Sequence, residues 1–138
     1  MELGSLRTNQ LSDEGWAWYQ DYLTALDAYD LDAYSSFLAE DVEIRFNNDP
    51  PLTGLAAARE GLGGFWASIT GMGCTLVHEP LNVYGDDRNL VLEALNHYDR
   101  PGGPRVTVRA TAWTDRRDDG KVVSVRLYQD LSPLYAPR

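Results

Sequence analysis

The sequence predicts an α+β fold, a curved antiparallel sheet wrapped around three N-terminal helices. Three observations predict it. Apolar residues recur at helical spacing as far as residue 69, with one strand-like stretch at 42–47 between helical segments. From Cys74 onward the pattern is strand throughout. The candidate strands are joined by compact turn sequences, Gly85-Asp86-Asp87, Pro101-Gly102-Gly103-Pro104 and Asp118-Asp119-Gly120. Helices followed by a meander pack as a helical layer on a sheet.

Residues 1–11 are polar and aperiodic and read as a loose arm; residues 12–138 read as one domain. Ser12 is placed to cap a first helix, with Asp13 and Glu14 where acids suit the helix dipole. That helix runs to about Tyr29 and carries two apolar stripes, one through Trp16, Tyr19, Leu23 and Leu26, the other through Trp18, Tyr22, Ala25 and Tyr29. An element apolar on two sides is sandwiched between others. Asp30 caps a second short helix, with Leu31, Tyr34, Phe37 and Leu38 inward, expected to end at Glu40-Asp41. Val42, Ile44 and Phe46 alternate as one face of a strand, which Asn48-Asp49-Pro50-Pro51 ends. The third helix spans 55–69; Gly61, Gly63 and Gly64 mark a bend or a close approach to the sheet. Strands are expected at 74–84, 89–99, 105–115 and 121–130.

The composition suits a real core: 43% of the 138 residues are hydrophobic, and four Trp and eight Tyr can wall a cavity. A formal net charge of -9 repels phosphate backbones and anionic lipid, so neither nucleic acid nor a membrane is an expected partner. The one cysteine, Cys74, lies in an apolar run and reads as a small buried hydrophobe. A single cysteine allows no internal disulfide, which fits the cytoplasm. The sequence carries no HExxH, no paired CxxC, no EF-hand spacing and no nucleotide-binding glycine loop, so no metal or cofactor is expected.

In the last strand, Arg126, Tyr128 and Asp130 share one face and Val123, Val125 and Leu127 the other. The polar set reads as a structural or dimer-face cluster, with Arg109 as a candidate partner across the sheet. The order of motifs along the chain resembles the nuclear transport factor 2-like superfamily, specifically its SnoaL-like members. The residues that carry the resemblance are Tyr22-Leu23-Thr24-Ala25-Leu26 before Asp30-Leu31-Asp32, then Phe37-Leu38-Ala39-Glu40-Asp41-Val42 and Pro50-Pro51-Leu52-Thr53-Gly54, and finally Asp119-Gly120-Lys121-Val122 leading to Arg126, Tyr128 and Asp130. The resemblance implies a cone whose open end admits small, mostly apolar ligands, and a homodimer formed through the sheet. The same fold hosts isomerases, hydrolases, cyclases, dehydratases and non-catalytic binders.

Carried over position by position, the resemblance puts an oxyanion-stabilising tyrosine at Tyr22. It puts the ketosteroid-isomerase base at or next to Phe46, which cannot take a proton. The polar residues of limonene-epoxide-hydrolase-like enzymes fall on Ile44, Phe46, Leu95, His97 and Leu127. The polyketide-cyclase aspartate also falls on Leu127, with its histidine near Trp113. Three known mechanisms thus each lack their base here. Scytalone-dehydratase-like members carry pocket histidines, and His78 stands where one of these sits.

Histidine is the side chain best matched to proton transfer near neutral pH, and the chain has two, His78 and His97. In an ungapped register Glu93, Leu95 and His97 face the cone, with Glu93 about 7 Å from His97 along the strand. A one-residue shift instead turns Asn96 and Tyr98 inward and His97 out. The first register gives an acid/base set of His97 or His78 with Tyr22 as hydrogen-bond donor and Glu93 nearby. The pocket wall would be Trp18, Phe46, Phe65, Trp66, Leu95, Trp113 and Leu127. Three functions are compatible. One is a cofactor-free isomerase, cyclase, dehydratase or hydrolase acting on a small apolar carbonyl- or hydroxyl-bearing molecule, polyketide- or terpenoid-like. The second is a non-catalytic carrier of the same ligands, which loses nothing by having Phe46 and Leu127 at the base positions. The third is a dimerising module with a collapsed cone.

Overall fold

The computed structural model describes residues 11–136. The elements in chain order are α1 (Asp13–Asp27), α2 (Leu31–Ser35), β1 (Leu38–Phe46), β2 (Leu52–Thr53), α3 (Leu55–Gly71), β3 (Thr75–Gly85), β4 (Asn89–Asp99), β5 (Val106–Arg116), β6 (Val122–Gln129) and α4 (Ser132–Tyr135). The strands form one mixed sheet in the order β2-β1-β6-β5-β4-β3. β1 runs parallel to β6, and the other pairings are antiparallel. The sheet curls over the helices without closing, so the expected α+β cone is the observed architecture.

The expected arm lies outside the described residues except for Leu11, which is buried in the core. Ser12 caps α1 as its position implies: its hydroxyl accepts from Gly15 N and donates to Asp87 Oδ2 at 2.6 Å, and its own N–H donates to Asp87 Oδ1. The start of α1 is thereby tied to the β3–β4 turn. The fit is close, since a Cβ on Gly15 would lie 2.0 Å from Asp87 Oδ1. That turn also depends on Gly85, at φ 108, where a Cβ would fall 1.9 Å from Asn89 O. Both stripes of α1 are used: Trp16, Tyr19, Tyr22, Leu23 and Ala25 are all buried.

The second helix is shorter than its apolar spacing predicts. It ends at Ser35, and Leu38 already belongs to β1. The carbonyl of Phe37 accepts the Val122 N–H, and Leu38 pairs with Val122, so parallel pairing with the distant β6 converts a helical pattern into strand. The two-residue β2 and the terminal α4 carry no sequence signal strong enough to foretell them.

The concave face follows from strand register. On β4, Leu90, Leu92, Ala94, Asn96 and Tyr98 are buried against the helical side. Rows of partners cross the sheet: Val83, Leu92, Ala112, Leu127 and Phe46 form one, and His78, Asn96 and Val108 another. The convex face takes the other set, including Glu93, Leu95, His97, Trp113 and Arg126.

Candidate functional site

The sheet and the three helices enclose a mostly apolar cavity of about 80 Å³. Its middle is walled by Phe46, Leu62, Phe65, Trp66, Ala112 and Leu127. Two polar stations interrupt it. One lies where Tyr22 meets Tyr34, hydroxyl to hydroxyl at 2.5 Å, with Thr114 as a second partner of Tyr22. Burial pushes the Tyr22 hydroxyl up to about 12, moderated by these two hydrogen bonds, and pushes Tyr34 well above the ordinary tyrosine value. Both are neutral hydroxyls throughout the physiological range.

The second station is a polar row across β3, β4 and β6. His78 sits directly opposite Asn96, so their Cβ atoms are neighbours. Asn96 Nδ2 donates to Gln129 Oε1 at 3.1 Å. Behind His78, Asp27 Oδ1 lies 2.8 Å from the imidazole Nδ1. Thr114 pairs with Leu90 and His78 with Asn96, which separates the two stations by six residues along β4, about 20 Å of strand.

The local chain explains how Asp27 reaches the sheet. It is the last residue of α1, where the helix dipole disfavours a carboxylate and no basic residue compensates. Two residues on, Tyr29 adopts φ 55, a left-handed conformation costing a non-glycine residue about 1 kcal/mol. Its hydroxyl donates to Leu76 O at 2.5 Å and its ring packs edgewise on Trp66, which fixes the turn against β3. The His78 hydrogen bond is the largest influence on Asp27 and holds its carboxyl below the usual range against partial desolvation. With Nδ1–H donating to that carboxylate, Nε2 of a neutral His78 carries the free lone pair. The dyad can therefore accept a proton from a molecule in the cavity.

The sequence-derived candidates divide. Tyr22, His78, Phe46, Phe65, Trp66 and Leu127 line the cavity. His97 does not: it lies on the convex face between Thr107 Oγ1 at 2.9 Å and Glu79 Oε1 at 2.8 Å. Glu93 accepts from Asn82 on the same convex face, and Leu95 and Trp113 stand there too. Of the two registers weighed for β4, the shifted one is observed. The physical reason is readable in the residues: Leu90, Leu92, Ala94 and Tyr98 are a more apolar set than Val91, Glu93, Leu95 and His97. Trp18 also misses the cavity, stacking on Tyr22 at 5.2 Å under the Arg116 guanidinium, 3.9 Å above its ring. Arg126 pairs with Asp115 at 2.7 Å and with Ser124, while Asp130 turns to Ser132 N.

Asp27, Asn96 and Gln129 have site positions that motif reasoning did not assign. Gln129 lies one alternation beyond Leu127 on the same face, and the signal for Asp27 was an acid at the wrong end of a helix. Among the described residues no group of three or more His, Cys, Asp or Glu could hold a metal ion. No helix among them is long and apolar enough to cross a membrane.

A family model described as the SnoaL-like domain matches residues 19–125. No curated protein sequence matches the chain significantly. Solved structures with the same fold include a nuclear transport factor 2-like protein of unknown function from Cytophaga hutchinsonii, 14% identical, with a TM-score of 0.66 over 83% of this chain and 97% of that one. A SnoaL-like polyketide cyclase, so named provisionally, from Jannaschia is 18% identical, with a TM-score of 0.71 over 96% of this chain and 98% of that one. An LEH-like epoxide hydrolase from M. tuberculosis is 18% identical, with a TM-score of 0.66 over 88% and 86%. At these identities the likeness is one of fold.

Proposed function

Since the chain belongs to the SnoaL-like domain family, we propose that it is a cofactor-free acid/base enzyme acting on a small, largely apolar carbonyl- or hydroxyl-bearing molecule held in this cavity. The observation that carries the reading is the Asp27–His78 pair at the wall of an apolar pocket. His78 Nε2 takes a proton from carbon next to a carbonyl, Asp27 holds the tautomer and offsets the imidazolium charge, and the proton is returned at another position or delivered to a leaving oxygen. Proton transfer by such a positioned group contributes roughly 10²–10⁴ in rate. Tyr22, neutral and held by Tyr34, belongs to the other polar station, about 20 Å of strand from His78, and takes no part in proton transfer to a small ligand bound at His78. This isomerase-, cyclase-, dehydratase- or hydrolase-type chemistry runs without the carboxylate bases that Phe46 and Leu127 replace.

The cavity volume of about 80 Å³ is below the roughly 150 Å³ that holds a benzene. It admits a small ligand as it stands; a polyketide- or terpenoid-sized one requires its walls to part. Incubation in D₂O with a panel of small ketones tests the reading, with proton NMR following exchange next to the carbonyl. Wild type is expected to accelerate exchange of at least one bound ketone, and His78→Ala to lose about hundredfold of that rate. A ketone that binds and never exchanges would favour the carrier reading, which the apolar Phe46 and Leu127 walls also suit.

The homodimer that the resemblance implies is part of the same proposal. Tyr84, Trp113 and Tyr128 are 52%, 42% and 44% exposed on the convex face, a cluster that a partner sheet would cover. Sedimentation of wild type against Trp113→Glu checks it; a monomeric wild type would sink it. A cytoplasmic location fits the unpaired, buried Cys74, and fractionation of the native cell would test it.

A further inference from the structure

Asn96 and Gln129 are 5% and 9% exposed and line the cavity, yet the single hydrogen bond between them engages only one of the two polar atoms of each side chain. Asn96 Oδ1 and Gln129 Nε2 are left over. Flipping both amides reverses the pair and leaves the other two atoms, again one donor and one acceptor. The site therefore presents one of each whichever way the two amides are turned. The main chain at Gln129 is fixed by its N–H, which donates to Asn47 Oδ1 at 2.8 Å, and its side chain is held by the bond to Asn96. Neither leftover atom is among the fully buried side-chain atoms that lack a partner, so both keep accessible surface at the cavity, where a ligand or water can take them up.

We infer that the Asn96–Gln129 pair is the specificity-determining anchor of the cavity, and that it selects neutral ligands carrying a hydroxyl and a carbonyl within a few bonds of each other. The carbonyl accepts from the free amide N–H, and the hydroxyl donates to the free amide oxygen. His78 stands directly across from Asn96, so carbon between or beside those two groups lies next to its imidazole. A carboxylate has no donor for the amide oxygen and would also approach Asp27, so it is rejected. The inference names the substrate class for the proposed active site and rests on that reading, but its test needs no turnover.

The test is an NMR titration with three ligands of matched size: hydroxyacetone, butanone and propanoate. Shifts of the Asn96 and Gln129 side-chain amides are followed alongside the backbone. In wild type the two amides move with hydroxyacetone, and propanoate binds weakest. Asn96→Leu/Gln129→Met replaces both groups with apolar ones of similar size, which avoids stranding either partner. The ratio of hydroxyacetone to butanone affinity is expected to fall about tenfold in that variant, the equivalent of the one hydrogen bond that the hydroxyl makes and butanone lacks. A ratio that stays within about twofold, or millimolar ligand that moves neither amide in wild type, overturns the inference. Selective binding without deuterium exchange would instead leave it standing and remove the catalytic role of His78.

Discussion

Asp27, the last residue of α1, holds the imidazole of His78 on β3 through a 2.8 Å contact to Nδ1. Two elements fifty-one positions apart are joined at the cavity wall, and the join orients the only histidine among the described residues that lines it. Substituting Asp27→Asn keeps the shape and removes the charge. Deuterium exchange is expected to fall about tenfold to hundredfold, with ligand affinity changed by less than about twofold. Equal losses in affinity and rate would make Asp27 a packing residue.

The same pair has a pH signature. The folded-state carboxyl of Asp27 is held below its ordinary value of 3.8, first by the His78 hydrogen bond. A depressed acid contributes stability that is present above its unfolded pKa and lost as pH falls through the folded one. Urea unfolding from about pH 5 to about pH 2.5 is expected to show a shallower loss of stability in Asp27→Asn than in wild type. Asp86, Asp87, Asp99 and Asp130 are depressed too, so the variant retains part of the slope. Parallel slopes would show that the pair contributes nothing to folding.

Gly15→Ala tests the cap of α1. The added methyl would collide with Asp87, which accepts two hydrogen bonds from Ser12 and whose carbonyl also accepts from Arg116 Nη1. Relief of the clash breaks the tie between α1 and the β3–β4 turn. A loss of about 1–2 kcal/mol is expected in denaturant unfolding, the scale of a lost cap. The propensity gain of Ala over Gly in a helix points the other way, so a stabilised variant would show that the tie is dispensable.

Tyr98 is buried with its hydroxyl unpartnered, beside Ile69, Cys74 and Leu134. Removing an orphaned buried hydroxyl leaves its packing intact. Tyr98→Phe is therefore expected to leave stability unchanged or raise it by up to about 1 kcal/mol. A loss beyond about 1 kcal/mol in chemical denaturation would show that the hydroxyl has a partner in solution.

Much of the fold was legible because its signals are local. The apolar stripes of α1, the Ser12 cap and the turns at Gly85 and Gly120 each depend on a few neighbouring residues, and their order along the chain is the order of the fold. The cavity position of Tyr22, Phe46, Leu127 and His78 was legible from resemblance combined with alternation. The facing of β4 was not, since Asn96 interrupts the apolar series that would have turned Tyr98 inward and His97 out. A period of two offers two faces, and the apolar excess of Leu90, Leu92, Ala94 and Tyr98 over the other face becomes decisive once the helices bury that set.

By itself, then, the sequence determined the α+β class, the order of the first three helices and the five longer strands, and a pocket walled by aromatic and aliphatic side chains. Tertiary structure alone decided where α2 yields to β1, that His97 faces away from the cavity, and that Asp27 and the Asn96–Gln129 pair stand beside it. These are contacts between residues remote in sequence. Their free energy comes from burial and pairing across elements, which no local period encodes.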